Sequence, residues 1–251
     1  MTTIEVLFTP AEIERLESED LSTTTCVVFD VLRATSAFVT ALANGAKSIL
    51  PVPGIPEALA ARSADPGALL AGERNGLRLR AVDTGGADFD LGNSPREFIP
   101  GVVAGRRIIS TTTNGTLALR ACAGGREVFA AALLNLAAMA QRLSTRPPSR
   151  LLLVCAGTGP RMALEDVIAA GALCHELKNR GMRTELRDSA QVALELFTAR
   201  GDQLAEALRD SENGRRLLAM PELKDDVEFC SRRSVMDVLA VMNGCGELIR
   251  G

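Results

Sequence analysis

The chain has no tryptophan, no tyrosine, one histidine, and no Cys-x-x-Cys pair among its six cysteines. Eight phenylalanines are the whole aromatic supply, too little flat surface for a protein that stacks on bases. Charges of both signs are mixed along the chain and sum to -3, so no basic footprint marks a nucleic-acid partner. The lone His175 falls mid-helix in Ala172-Leu-Cys-His-Glu-Leu177, where it reads as packing or surface. Histidine-phosphatase chemistry and His-rich binuclear metal chemistry therefore lack their side chains. Cys26, Cys122, Cys155, Cys174, Cys230 and Cys245 sit partly inside apolar runs, where a thiol acts as a small hydrophobe. Their spacing speaks against structural zinc and a disulfide framework. The longest apolar stretch, Val128 to Ala140, carries Asn135 and is too short to span a membrane. Met1-Thr-Thr-Ile-Glu-Val lacks the basic start and apolar run of a signal peptide. These absences predict a cytoplasmic protein with neither membrane nor nucleic acid as partner.

What is present suits a soluble globular chain: 47% hydrophobic and 24% charged residues. A length of 251 residues allows one large domain over 1–251, or two closely joined lobes meeting near 145–150, in Thr145-Arg-Pro-Pro-Ser149. Strand-like runs are expected at 4–9, 25–29, 48–52, 107–110, 127–130 and 151–155. Helical patterns fall at 11–19, 36–44, 56–63, 115–123, 135–143, 163–179, 190–220 and near 235–242. The stretch 72–100 reads as a long polar loop, which in a compact domain is usually functional. This alternation predicts an α/β fold with a mainly parallel or mixed sheet covered on both faces. A repeated strand–turn–helix theme hints at internal duplication, without a fixed period.

Three strand–turn–helix junctions carry chemistry-bearing residues. Asp30-Val-Leu-Arg33-Ala-Thr35-Ser36 puts a carboxylate at the carboxyl end of a strand, where open α/β sheets bind ligands. Arg33 suits two oxygens of a phosphate or sulfonate, and the plainer reading makes Thr35 or Ser36 a helix cap. An aspartyl nucleophile of the haloacid-dehalogenase type needs a second Asp where Leu32 stands. Thr111-Thr112-Thr113-Asn114-Gly115-Thr116 offers more hydroxyls than capping requires, with Asn114-Gly115 turning the amides outward. In Cys155-Ala-Gly157-Thr158-Gly159-Pro160-Arg161, five residues separate Cys155 from Arg161, the spacing of cysteine-dependent phosphatases. The plainer reading there is a buried thiol ending a strand. Glu165 and Asp166 begin the next helix, as ligands for Mg²⁺ or as acids favoured by the helix dipole. Gly72-Glu73-Arg74-Asn75-Gly76 packs acid, base and amide into one turn, as does Asp90-Leu-Gly-Asn93-Ser94-Pro95. Either is also an ordinary turn sequence.

Taken in order, these segments resemble the 2-phosphosulfolactate phosphatase family of coenzyme M biosynthesis. Ala41-Leu-Ala-Asn-Gly-Ala46, Leu164-Glu-Asp166 and Val227-Glu-Phe-Cys230 add to the match, which runs nearly the full chain. Asp83-Thr-Gly-Gly-Ala-Asp88 departs from the pattern as an extra stretch. The resemblance implies a three-layer α/β/α fold and Mg²⁺-dependent hydrolysis of a phosphate ester on a small sulfonated acid. It also implies that Asp30, Arg33, Glu73, Arg74 and the Thr112–Asn114 turn belong to the site. On this reading Asp30, Arg33 and Glu73 are catalytic, and Asp30, Glu73 and Asp166 hold Mg²⁺. Substrate contacts are expected from Thr35, Ser36, Arg74, Asn75, Asn93, Ser94, Thr112, Thr113, Asn114 and Gly115. A homodimer is the one protein assembly left open. Two rivals stand beside it: a cysteine phosphatase using Cys155 and Arg161, and a module that binds a phosphorylated metabolite without turnover.

Overall fold

The computed structural model describes residues 1–251. Its strands are β1 (Thr2–Leu7), β2 (Thr24–Phe29), β3 (Ser48–Pro51), β4 (Leu69–Arg74), β5 (Leu77–Arg78) and β6 (Arg107–Thr111). They continue with β7 (Glu127–Ala131), β8 (Arg150–Cys155), β9 (Thr184–Leu186), β10 (Ala240–Met242) and β11 (Leu248–Arg250). All eleven join one mixed sheet in the order β5-β4-β6-β3-β11-β10-β7-β2-β8-β1-β9. Two parallel blocks, β4-β6-β3 and β7-β2-β8-β1-β9, are bridged by the antiparallel hairpin β10–β11.

Alternation along the central strands explains the layers. Val27, Phe29, Leu151, Leu153 and Cys155 pack into a core of 35 buried residues on one face. Cys26, Val28, Leu152 and Val154 point into a second core of 33 on the other. Both faces are apolar, as buried parallel strands require, and helices cover each. A three-layer α/β/α arrangement follows. A smaller cluster of seven, including Leu70, Phe89 and Ile109, seals the far end under β4 and β6.

The six expected strands are present within two residues. Elsewhere the pattern is corrected. Within 72–100, β4 and β5 form a hairpin whose turn residues, Asn75 and Gly76, have φ of 56° and 84°, as a tight two-residue hairpin demands. The helix expected near 235–242 is extended chain: Ser234 and Met236 donate amides to the Leu133 and Leu134 carbonyls, and β10 pairs with β7. The β-branched Val235, Val238 and Val241 suit that conformation. The expected 190–220 helix is three, Asp188–Arg200, Leu204–Asp210 and Glu212–Leu218, the last capped by Ser211 accepting from the Gly214 amide. The 11–19 helix is one α-helical turn, Pro10–Glu14, continued as 3₁₀ through Ser18. Residues 146–149 join Leu136–Thr145 to β8 inside one parallel block. No helix is long and apolar enough to cross a membrane.

Helices Leu164–Asn179 and Asp188–Arg200 meet at Gly171, where a Cβ would lie 1.9 Å from the Ala193 carbonyl oxygen. Gly171→Ala must therefore push two buried helices apart. We expect a loss of about 1–3 kcal/mol or more, read as a lower urea midpoint at unchanged m-value.

Candidate active site

The buried strand β2 ends at Asp30, which is 9% exposed. Its Oδ1 accepts the Ala34 amide at 3.0 Å, while Oδ2 has no hydrogen-bond partner in the protein. Thr35 and Ser36 follow it in the turn, with their hydroxyls bonded to the backbone and away from the cleft lining. Thr35 Oγ1 bonds the backbone of Asp30 at 3.0 Å, Ser36 Oγ donates to the Val31 carbonyl at 2.8 Å, and both residues are fully buried. Their expected substrate contacts are therefore corrected to a supporting role: they shape the turn that presents Asp30.

Arg33 is also buried, at 3% exposure. Nη1 donates to Asp226 Oδ2 at 2.7 Å and Nη2 to the Gly76 carbonyl at 2.5 Å. Ser94 Oγ donates to the other oxygen of Asp226 at 2.7 Å. Ser94 is thus spent on a protein carboxylate. Asp226 begins the helix Lys224–Ser231, just before the Val227-Glu-Phe-Cys230 motif.

Glu73, at the end of β4, faces across to the end of β6. Its Oε2 accepts the Gly76 amide at 2.7 Å, and its Oε1 accepts both the amide and the hydroxyl of Thr113, at 3.0 and 2.9 Å. Thr112 is turned inward, exchanging bonds with Thr116 at the helix start. Arg74 lies away from Glu73's carboxylate side: its guanidinium holds the Glu73 carbonyl at 2.6 Å and Thr111 Oγ1 at 3.1 Å. Thr112 and Arg74 are thus corrected to structural roles. Gly115 is required by proximity, since a Cβ there would meet Asp30 Oδ2 at 2.5 Å and Ala34 Cβ at 2.7 Å. Asn114 Nδ2 donates to the Ala156 and Gly159 carbonyls, both at 2.9 Å, tying β6's turn to β8's.

After β8, Asp166 accepts amides from Val31 at 2.8 Å and Gly157 at 3.1 Å, so its carboxylate fastens two loops together. Glu165 is 1% exposed; Asn213 Nδ2 donates to its Oε1 at 2.7 Å and to Thr158 Oγ1 at 2.6 Å, and its Oε2 has no partner. Cys155 is fully buried in the larger core, and burial first, then Asp166, pushes its thiol well up. Arg161 forms an exposed pair with Glu212. The cysteine-nucleophile reading is corrected on those grounds: the thiol neither ionises readily nor meets the cleft.

These turns enclose a polar cleft of about 260 Å³. Asp30, Arg33, Glu73, Asn75, Gly76, Asn93, Thr113 and Asn114 line it, with Gly157, Thr158, Gly159, Arg161, Glu212, Asn213 and Arg216 opposite; Leu32 is the one apolar wall. It is smaller than the roughly 300 Å³ at which drug-sized pockets begin, so it suits a small metabolite. Asn93 lines it with no side-chain bond of its own, while Arg74, Thr35, Ser36, Thr112, Asp166 and the 83–88 stretch do not line it. The sequence pattern does not single out Asp226, Asn213 or Arg216. Their one signal is position in the last fifty residues, where a carboxylate inside an apolar helix face, as at Asp226, needs a buried partner.

Burial is the main force on the acids. It raises Asp30 from 3.8 to about 7, helped by Glu73 and Glu165 and opposed by the Ala34 amide and Arg33. It also raises Glu165 and, more strongly, Asp166. The donor set fits Mg²⁺, which in phosphate sites takes one or two carboxylates. Asp30 Oδ2 is unbonded, Glu73 shares the cleft, and Glu165 Oε2 is an orphaned buried oxygen behind it. No group of three His, Cys, Asp or Glu side chains forms an all-protein cage.

Fold and site together define an α/β protein with a small, acid-floored, arginine-walled cleft at converging strand ends. A family model for 2-phosphosulpholactate phosphatase matches residues 8–244. A Thermotoga petrophila protein named a probable 2-phosphosulfolactate phosphatase is 39% identical over 221 residues, 88% of this chain and 90% of its own. Proteins of the same name from Deinococcus radiodurans (41% over 217 residues, 86% of each chain) and Pseudothermotoga lettingae (36% over 239, 95% of each) are similar along the whole fold. The chain belongs to the 2-phosphosulfolactate phosphatase family, a family of phosphoric monoester hydrolases.

The raised Asp30 has a sign that can be checked. Between about pH 4 and 7 the folded state holds a proton the unfolded state has lost, so this group's contribution to stability falls as pH rises through that window. Above it, a buried charge remains. Asp30→Asn removes that charge, and with chelator present we expect its Tm to exceed wild type by about 3 °C or more at pH 8 and to match it near pH 4. Equal shifts at both pH values would show that Asp30 is ionised throughout.

Proposed function

We propose that this cleft hydrolyses the phosphate ester of a small acidic metabolite, 2-phosphosulfolactate, with Mg²⁺ as cofactor. The carrying observation is the buried pair Asp30 and Glu73 at the floor of an otherwise donor-rich cleft, in a chain of a phosphatase family. Two carboxylates repel a phosphate unless a cation stands between them, and burial makes that repulsion stronger. Mg²⁺ held by Asp30 and Glu73 would neutralise phosphate charge and make phosphorus more electrophilic.

The chain's own residues supply the rest. Glu73 is held rigid by the Gly76 amide and by Thr113, so its direction is set before substrate arrives. Asp30 lines the cleft with Oδ2 unbonded; it would orient the attacking water, take its proton as the water oxygen bonds to phosphorus, and return it to the leaving alkoxide oxygen as the ester bond breaks. Asn75 and Asn93, whose side-chain amides line the cleft without a protein partner, would provide neutral donors to phosphoryl oxygens. Arg33 has spent two of its five N–H donors on Asp226 and Gly76, and it lines the cleft with three donors left to offer a ligand. Its positive charge is largely cancelled by Asp226, so it contributes directed donors more than net charge.

The test is release of phosphate from 2-phosphosulfolactate by chelated and Mg²⁺-restored enzyme. Activity should vanish on chelation and return with Mg²⁺. Glu73→Gln, which removes the charge and keeps an acceptor for only one of its two partners, Gly76 or Thr113, should cost about 10²-fold or more in kcat. Turnover indifferent to chelation, or a Glu73→Gln enzyme within threefold of wild type, would refute this mechanism.

A further inference from the structure

We propose that Arg216 is the specificity anchor of the cleft and binds the second acidic group, a carboxylate or sulfonate, of the phosphorylated substrate. The phosphate's place rests on the phosphatase reading above; the second group's place rests on the arginines themselves. Three guanidiniums line the cleft. Arg33 is tied to Asp226 and Gly76. Arg161 is paired with Glu212. Arg216 makes neither ion pair nor hydrogen bond, and no lysine lines the cleft. Arg74, which the sequence offers for this task, is turned onto the backbone of β4 and Thr111.

The support beneath Arg216 is rigid. It stands three residues beyond Asn213 on Glu212–Leu218, so both project from one side of the helix into the cleft. Asn213 is clamped by Thr158 and Glu165, and Gly214 packs so closely that a Cβ would lie 1.8 Å from the Leu208 carbonyl oxygen. Arg216 is exposed, and its guanidinium, unbonded on a fixed helix, can make a forked contact with two oxygens of an anion. Glu165 is buried behind Asn213 and already bonded to it, and the exposed Glu212 of the same helix is paired with Arg161. Arg216 is therefore the one cleft guanidinium without a protein partner. Asp30 and Glu73 line the same cleft, and a second anion placed against them would be repelled.

The test is calorimetric binding, with Mg²⁺ present, of two probes: sulfolactate, which has a carboxylate and a sulfonate but no phosphate, and inorganic phosphate, which has neither of those groups. Wild type, Arg216→Ala and Arg216→Lys are compared, with circular dichroism confirming folding. Arg216→Ala should weaken sulfolactate at least tenfold and phosphate less than threefold, and Arg216→Lys should recover part of the loss. In turnover of 2-phosphosulfolactate, the alanine variant should raise KM at least tenfold with kcat within threefold. Equal weakening of both probes, unchanged sulfolactate affinity, or a wild type that does not bind sulfolactate would overturn the assignment. A wild type that binds sulfolactate through Arg216 but releases no phosphate would sink the phosphatase reading and leave this one standing.

Discussion

The buried ion pair between Arg33 and Asp226 is the contact on which the site's assembly depends. It joins four segments distant in sequence: the turn after β2, the β4–β5 hairpin through the Gly76 carbonyl, the 93–95 turn through Ser94, and the helix Lys224–Ser231. Removing two charges from water costs several kcal/mol per ion, and the pair offsets this only because every facing oxygen is bonded. Such a contact specifies an arrangement more than it adds stability. Without Asp226, Arg33 would be a buried cation beside one carbonyl, a loss of about 3–5 kcal/mol, and the Gly76 turn that aims Glu73 would lose its tether.

The second constraint is the accumulation of buried acids. Asp30, Glu73, Glu165 and Asp166 lie near one another with Arg33 as the only buried cation beside them, and Arg33 already answers to Asp226. Asp166 escapes the problem by accepting two amides, but Asp30 does so with only one of its oxygens. Asp30's position near neutrality expresses that imbalance. A cleft so built repels a phosphate by itself, and the divalent cation we propose would relieve that repulsion.

Much of this was legible in the chain. β2 and β8 alternate between two apolar faces, so their ends, and hence Asp30 and the 155–161 turn, could be placed from pattern alone. Glu73 was recognisable as an acid inside a glycine-bounded turn. What pattern could not supply was direction. Arg74 is adjacent to Glu73, yet strand alternation sends it to the other side of the hairpin. Thr35, Ser36 and Thr112 have the hydroxyls of a phosphate loop and spend them on capping their own backbone, a competition visible only once the turn is folded. Asp166 looked like a ligand and is a fastener, whereas Glu165, its neighbour, keeps the orphaned oxygen. Asp226 and Arg216 lie in ordinary charged helix sequence, and only packing across some 190 residues reveals Asp226's partner. The 235–242 segment is not a helix because Ala240 and Val241 pair with β7 while the Ser234 and Met236 amides are held by the Leu133 and Leu134 carbonyls.

The most direct measurement is equilibrium binding of Mn²⁺, as a spectroscopic substitute for Mg²⁺, followed by electron paramagnetic resonance with and without inorganic phosphate. One site is predicted per chain, tightened at least tenfold by phosphate and lost in an Asp30→Asn, Glu73→Gln double variant that remains folded. Binding that survives the double variant, or that phosphate leaves unchanged, would contradict a cation-bridged phosphate at the Asp30–Glu73 floor.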